Sequence, residues 1–144
     1  MVVGGVEIAW HLGLSGHSDG DVLLHAISDA VCGAAGLPDI GRQFPDDDEA
    51  YRGADSWHLL RAIGDRAREA GWAIENIDAI LVAQQPKIAG HVEAMKLRIA
   101  AALVTEPGRV NVRGKTAEGM GPIGAGEGME AHAVCLLRAT VGLT

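Results

Sequence analysis

Cysteine is nearly absent, with only Cys32 and Cys135 in 144 residues. They fit neither a C-x-x-C metal knuckle nor a disulfide framework, and each sits among apolar neighbours, so both read as inert core thiols. Aromatic residues are scarce too: three Trp, one Tyr and one Phe. A core must therefore come from Ala, Val, Leu and Ile, which a one-domain chain with 48% hydrophobic residues supplies. Basic residues are outnumbered, 12 Lys and Arg against 19 Asp and Glu, for a net charge of -7. That balance argues against a nucleic-acid partner, which needs a basic face to release counterions. It does not exclude an anionic small substrate, because one lysine or a bound metal can outweigh the global sign locally. No apolar run reaches the roughly 18 residues of a membrane span. The opening "MVVGGVEIAW" lacks the basic n-region of a signal peptide. The expectation is a soluble cytoplasmic protein with no membrane partner.

The pattern along the chain is that of a small α/β (α+β) domain, two layers with helices packed on one mixed β-sheet. Residues 5–10, "GVEIAW", alternate apolar and polar and predict a strand. A helix is predicted from Asp19 as its cap to about Ala35, with Gly36 stopping it. A long polar loop follows, and then a helix capped by Asp55 and ending near Gly71. Leu60, Ile63, Ala67 and Ala70 would line its inner face, with Arg61, Asp65, Arg68 and Glu69 outward. Residues 77–84 predict a buried strand. Val92, Met95, Ile99, Ala102 and Leu103 repeat at helical spacing, and "RVNVRGKT" and "EAHAVCLLRATV" read as closing strands. Neither an internal repeat nor a linker is visible.

Several stretches carry candidate chemistry. In "GHSDGDVLLH", Asp21 and His25 lie one helical turn apart and share a face. His17 and Ser18 precede them where free N–H groups favour an anion. The segment reads either as a phosphate and metal site or as a capped helix with a polar face. "DIGRQFPDDD" places Asp39, Asp46, Asp47 and Asp48 in one loop, suited to ribose, hydroxyl or metal binding, or simply solvated. "VAQQPKIAG" offers Lys87 to an anion and the backbone near Pro86 to a flat base; a plain strand-to-helix connection would look the same. "GMGPIG" matches G-x-G-x-x-G, but it opens no helix and too little chain follows for a dinucleotide-binding unit. In "KTAE", Lys115, Thr116 and Glu118 offer a cation, a hydroxyl and a metal-binding carboxylate around a diphosphate. His11, His58, His91 and His132 lack partners at ligand spacing and are assigned to surface or packing roles. Trp10, Trp57 and Trp72 read as core or interface anchors.

Taken in order, the H-S-D-x-D-x-x-x-H stretch, the D-I-G…F-P-D loop, "AQQPKI" and the T-x-E-x-x-G segment resemble the 2-C-methyl-D-erythritol 2,4-cyclodiphosphate synthases across essentially the whole chain. The resemblance implies a homotrimer with active sites between subunits, a phosphorus–oxygen lyase of the non-mevalonate isoprenoid route. It implies the substrate 4-diphosphocytidyl-2-C-methyl-D-erythritol 2-phosphate, whose products are the cyclic diphosphate and CMP. By the same resemblance His25 is a zinc ligand and Glu118 binds magnesium, for which manganese can stand. His17 and Thr116 take the catalytic roles, steadying the attacking phosphate and the transition state. Ser18 and Asp21 contact polar groups of the substrate. Asp39, Ile40 and Gly41 hold the ribose, and Phe44, Pro45, Asp46, Asp47 and Asp48 close on the methylerythritol unit. Ala83, Gln84, Gln85, Pro86, Lys87, Ile88 and Ala89 cradle cytosine, while Lys115 and Ala117 flank the diphosphate with Thr116 and Glu118.

The sequence departs from the resembled pattern in two ways. The family's other zinc ligands come from a D-x-H motif on its first strand, upstream of the segment matched by "VVGGVEI", and no D-x-H occurs in these 144 residues. The expectation is a start placed late or a fragment. The alternative is a non-catalytic trimeric protein that binds cytidine nucleotides. A further possibility is a domain without its first strand that folds poorly, an open sheet edge being a liability. Pro122 and Ala125 stand where the pattern has the aromatic and arginine of "GF-x-GR", which predicts weaker substrate binding unless Lys115 supplies the missing charge.

Overall fold

Three helices of this chain begin on an aspartate whose carboxylate accepts the N–H three residues on. Asp21 takes that of Leu24, Asp39 that of Arg42 and Asp55 that of His58. Such a side-chain acceptor satisfies one of the N–H groups left over at a helix start. The structure, a computed structural model, describes residues 1–10, 20–45 and 55–140. Its elements are β1 (Val2–Val3), β2 (Val6–Glu7), α1 (Val22–Ala35), α2 (Ile40–Gln43), α3 (Ser56–Glu69), β3 (Trp72–Val82), α4 (Val92–Leu103), β4 (Val110–Lys115), α5 (Gly121–Gly124) and β5 (Glu130–Ala139). Among the described residues no helix is long and apolar enough to cross a membrane.

The sheet is mixed, in the order β4-β3-β5. β4 runs parallel to β3, from Ile77 opposite Val110 to Val82 opposite Lys115. β5 runs antiparallel, from Trp72 opposite Ala139 to Val82 opposite Glu130, with a register shift between Ile74 and Asn76. The helical layer covers one face. Ile77, Ala79 and Leu81 of β3 and Val110 and Val112 of β4 are buried against Leu24, Ile27, Leu60, Ile63, Met95 and Ile99. Each such side chain contributes about 1.5–3 kcal/mol through burial. The other face carries Asp78, Arg113, His132, Val134 and Leu136; Val134 is 71% and Leu136 59% exposed.

Several expectations need correction. The cap of α1 is Asp21; Asp19 lies outside the described residues. The predicted strand over 5–10 is a tight hairpin of two-residue strands, Val2 opposite Glu7 and Val3 opposite Val6. Its turn uses Gly4 and Gly5 at φ 61° and 75°, left-handed values that glycine adopts without a Cβ penalty. A Cβ on Gly4 would also stand 2.7 Å from Met95 Cγ. The strand expected at 77–84 begins at Trp72, because β5 supplies backbone partners for the polar stretch before it. In the expected loop, residues 40–43 form a helical turn.

On α3, Ala70 is exposed rather than inward, and Arg68 turns back to Asp65 and donates to the Leu103 carbonyl at 3.1 Å. Within "GMGPIG", residues 121–124 do form one helical turn, too short to present a dinucleotide site. Both cysteines are free; Cys32 is buried and Cys135 half-buried, and burial raises both thiols, Cys135 to about 11.

Candidate active site

Parallel strands that part company at their C-terminal ends leave a crevice, a common place for a ligand in open sheets. Here β3 and β4 stay joined through Val82 and Lys115, and the last rung is the Ala83 N–H donating to the Lys115 carbonyl at 2.9 Å. Beyond it the chains diverge around a cavity of about 420 Å³, lined by Ala83, Pro86, Lys87, Ile88 and Ala89 on one side and Gly114, Lys115 and Thr116 on the other. Leu81 and Val92 give it an apolar floor and Glu93 a carboxylate. Its size and mixed lining suit a drug-sized ligand. Gly114 is a glycine for a local reason: a Cβ there would meet Ile88 Cγ1 at 2.9 Å. The Gln85–Pro86 peptide is cis.

A second hollow of about 490 Å³ shares Lys115 and Thr116 and continues along Ala117, Glu118, Met120 and Pro122. Two hydrogen bonds shape the wall between them. The Gly119 N–H donates to Gln84 Oε1 at 3.1 Å, tying the loop after β4 to the loop after β3. The Glu118 N–H donates to Thr116 Oγ1 at 3.2 Å, with Glu118 at φ 52° and its carboxylate exposed. The candidate residues from Ala83 to Ala89 and from Lys115 to Glu118 thus converge on adjoining hollows. Gln85 faces solvent and Gln84 takes part as a brace.

The other candidates sit around α1 and α2. Asp39 is exposed and its carboxylate caps α2, which leaves Ile40 and Gly41 at an accessible helix start. Phe44 is buried under the Arg66 guanidinium, 4.6 Å from its ring centroid, and Pro45 is half-buried. Arg66 also donates to Gln43 Oε1 at 2.7 Å, pinning α2 to α3. Asp21 is fully buried, with its carboxylate turned to the backbone of Gly4, Gly5 and Leu24. His17, Ser18, Asp46, Asp47 and Asp48 lie outside the described residues.

His25 is half-buried on α1, and its Nε2 lies 2.9 Å from the Oγ of Ser56, the fully buried first residue of α3. Sequence reasoning missed Ser56; the available signal was a small hydroxyl at the first helical position of a helix whose Asp cap had already been read. Imidazole is a good zinc donor and the exposed Glu118 carboxylate a good magnesium donor. Among the described residues no three His, Cys, Asp or Glu side chains converge, so a full ligand set at His25 needs donors beyond those described.

Of the histidines assigned to surface or packing roles, His58 and His132 are exposed and His91 is half-buried. His58 Nδ1 pairs with Asp55 at 2.8 Å and His132 with Glu130 at 3.7 Å. Burial alone would raise the Asp55 carboxyl, but its hydrogen bonds from the His58 N–H and ring outweigh that and hold it below its usual value. Trp57 serves as an anchor, donating to the Arg98 carbonyl at 2.8 Å beneath the Arg98 guanidinium.

Comparison with known proteins places this arrangement. The chain is 56% identical over 144 residues to the 2-C-methyl-D-erythritol 2,4-cyclodiphosphate synthase of Verminephrobacter eiseniae, covering 99% of this chain and 79% of that protein. Among solved structures, the bifunctional IspDF of Campylobacter jejuni superposes with a TM-score of 0.91 at 42% identity, over 96% of this chain and 38% of that one. A CDP complex of IspF from Plasmodium falciparum superposes with a TM-score of 0.81 at 31% identity, over 98% and 85% of the two chains. The model of the YgbB family matches residues 1–138, and the chain belongs to that family.

Proposed function

We propose that this chain is a 2-C-methyl-D-erythritol 2,4-cyclodiphosphate synthase, a phosphorus–oxygen lyase of the non-mevalonate isoprenoid route. The observation that carries the proposal is 56% identity along nearly the whole chain to a synthase of that name, with a nucleotide-sized cleft where β3 and β4 part. The CDP held by the Plasmodium falciparum neighbour supports a cytidine nucleotide as the cleft's occupant. In the reaction an oxygen of the substrate's 2-phosphate attacks the β-phosphorus. The bond from that phosphorus to the bridging oxygen breaks, and CMP leaves with the electron pair.

Because the nucleophile is already a phosphate oxygen, the protein has to supply orientation and positive charge rather than a nucleophile. The 83–89 loop holds the base, with Lys87 beside it, and Lys115 and Thr116 face the diphosphate. His17 steadies the attacking phosphate, Ser18 contacts polar groups of the substrate, the 44–48 segment closes on the methylerythritol unit, and residues 39–41 hold the ribose. Zinc at His25 and magnesium at Glu118 would supply charge that offsets repulsion between the phosphates. The chain would work as a homotrimer, and the uncovered sheet face bearing Val134 and Leu136 supports that assembly. A non-catalytic nucleotide-binding role is not favoured, because relatives of such high identity bear the synthase name.

The test is CMP release from 4-diphosphocytidyl-2-C-methyl-D-erythritol 2-phosphate, with zinc and magnesium present. Turnover at a rate typical of enzymes, about 1 s⁻¹ or faster, is expected. Nucleotide binding without any CMP release would leave only a binding protein.

A further inference from the structure

We infer that Gln84 is a positioning residue: its side-chain carbonyl locks the turn that carries Glu118 onto the loop at residues 83–89, so that the cleft and the hollow beside it form one preorganised site for a nucleoside diphosphate. The inference rests on the nucleotide reading of the cleft proposed above. The backbone pairing of β3 with β4 ends where the Ala83 N–H donates to the Lys115 carbonyl at 2.9 Å. One residue further along, Gln84 Oε1 accepts the Gly119 N–H at 3.1 Å. A side chain thereby extends the connection past the last backbone rung, to a residue four positions beyond Lys115.

The turn held in this way is a strained one. Glu118 and Gly119 have φ of 52° and 75°, and the Met120 N–H donates to the Ala117 carbonyl at 3.0 Å. Positive φ at both central residues is the mark of a type I′ turn. Glycine enters that conformation freely, but a residue with a Cβ, such as Glu118, does so rarely and at a cost. It persists where the surrounding bonds over-determine it. Here the N–H groups of Glu118, Gly119 and Met120 are all taken, by Thr116 Oγ1, Gln84 Oε1 and the Ala117 carbonyl. Of these acceptors, Gln84 is the one that comes from outside the loop. A Cβ on Gly124 would run into the Gly119 backbone, so α5 packs directly against the turn as well.

The consequence falls on the two hollows. Lys115 and Thr116 line both, the 83–89 loop lines the first, and Glu118 lines the second. Gln84 itself lines neither, so its part is to fix geometry rather than to touch the ligand. With the bond made, the place for a base and the place for a second phosphate are in register before the ligand arrives, which reduces the ordering that binding requires.

The experiment compares the full chain with Gln84→Met, which keeps the length without an amide acceptor, and Gln84→Asn, whose acceptor is drawn back by one methylene. Gln84→Glu keeps an acceptor at full length and is read by exchange alone, because its charge would repel a diphosphate. Amide hydrogen exchange in ¹⁵N-resolved spectra of the ligand-free chain reads the Gly119 N–H, and thermal melting confirms folding. Calorimetric titrations with CMP and with CDP separate the base end of the site from the second phosphate. The expected result is Gly119 exchange faster by about fivefold or more in the Met and Asn variants, and near wild type in Gln84→Glu. In the Met and Asn variants CMP affinity stays within about twofold of wild type, while CDP affinity falls about fivefold or more. Unchanged Gly119 exchange in both variants overturns the brace, and equal losses for CMP and CDP overturn the coupling. A wild-type chain that binds neither nucleotide overturns the cleft reading beneath the inference, whatever the exchange shows. Nucleotide binding with CDP affinity untouched in Gln84→Met sinks this inference and leaves the synthase reading intact.

Discussion

Asp21 and Gly4 are joined across 17 positions of sequence: the Gly4 N–H donates to Asp21 Oδ1 at 2.9 Å, in a fully buried setting. The Gly5 N–H reaches Oδ2 at 2.8 Å and the Leu24 N–H shares Oδ1 at 3.0 Å. One carboxylate therefore starts α1 and docks the N-terminal hairpin onto it. Asp21→Ala strands those donors and removes the cap, and is expected to cost on the order of 3 kcal/mol in chemical denaturation. Asp21→Asn, which keeps one acceptor oxygen, should lose less. An Ala variant within about 0.5 kcal/mol of wild type, the usual range for an inconsequential surface change, would show that this junction does not support the fold.

The cleft makes a separate prediction at Gly114, whose missing Cβ leaves room for Ile88. Gly114→Ala forces Ile88 to move and reshapes the wall of the cleft. Overpacking of this kind costs about 1–3 kcal/mol. With its wall displaced, the cleft is expected to bind CDP about tenfold more weakly in a calorimetric titration. An unchanged CDP affinity would place the nucleotide elsewhere.

Acid should act through Asp55. Its carboxyl is held below the usual 3.8 in the folded chain, so its charged form is favoured by folding. The sign follows: the stabilisation is fully present above pH 3.8 and is lost as pH falls through the lowered folded value. Asp55→Ala should therefore melt lower than wild type near neutrality, by an amount corresponding to about 1 kcal/mol for a lost cap. The gap between the two should narrow in strong acid. A gap that grows on acidification would contradict the assignment.

Assembly should depend on the open face of the sheet. Val134, 71% exposed opposite Asp78 on β3, lies beside the Asp78–Arg113 ion pair at 2.9 Å. Val134→Arg puts a second cation next to that pair and removes apolar surface. Light scattering should show a trimer for wild type and a smaller species for the variant. A variant trimer as stable as wild type would move the interface off this face.

How far the sequence speaks depends on whether the signal is local. The helical repeat of Met95, Ile99 and Leu103 and the alternation in β5 found their elements, because one buried face leaves a periodic trace. Asp55 was legible as a cap for the same reason, standing directly before such a repeat. Asp19 and Asp21 both precede α1 in sequence, and it is Asp21 whose carboxylate takes the Leu24 N–H together with the hairpin N–H groups. The early start of β3 at Trp72 depends on pairing with β5, more than 50 residues later. The site divides likewise. "AQQPKI" reads equally well as a plain connection and nothing local joins it to "KTAE"; it is the Gln84–Gly119 bond and the parallel β3–β4 register that bring the two together. Ser56 offered only a hydroxyl directly after the Asp55 cap, because its contact is with His25 on another helix.

The most direct test of the central claim is the ³¹P spectrum of 4-diphosphocytidyl-2-C-methyl-D-erythritol 2-phosphate incubated with this chain, zinc and magnesium. Intramolecular attack on the β-phosphorus predicts loss of the monophosphate resonance, with CMP and a cyclic diphosphate appearing in equal amounts. An unchanged spectrum, or CMP accompanied by a linear bisphosphate from water attack, would contradict cyclisation by this protein.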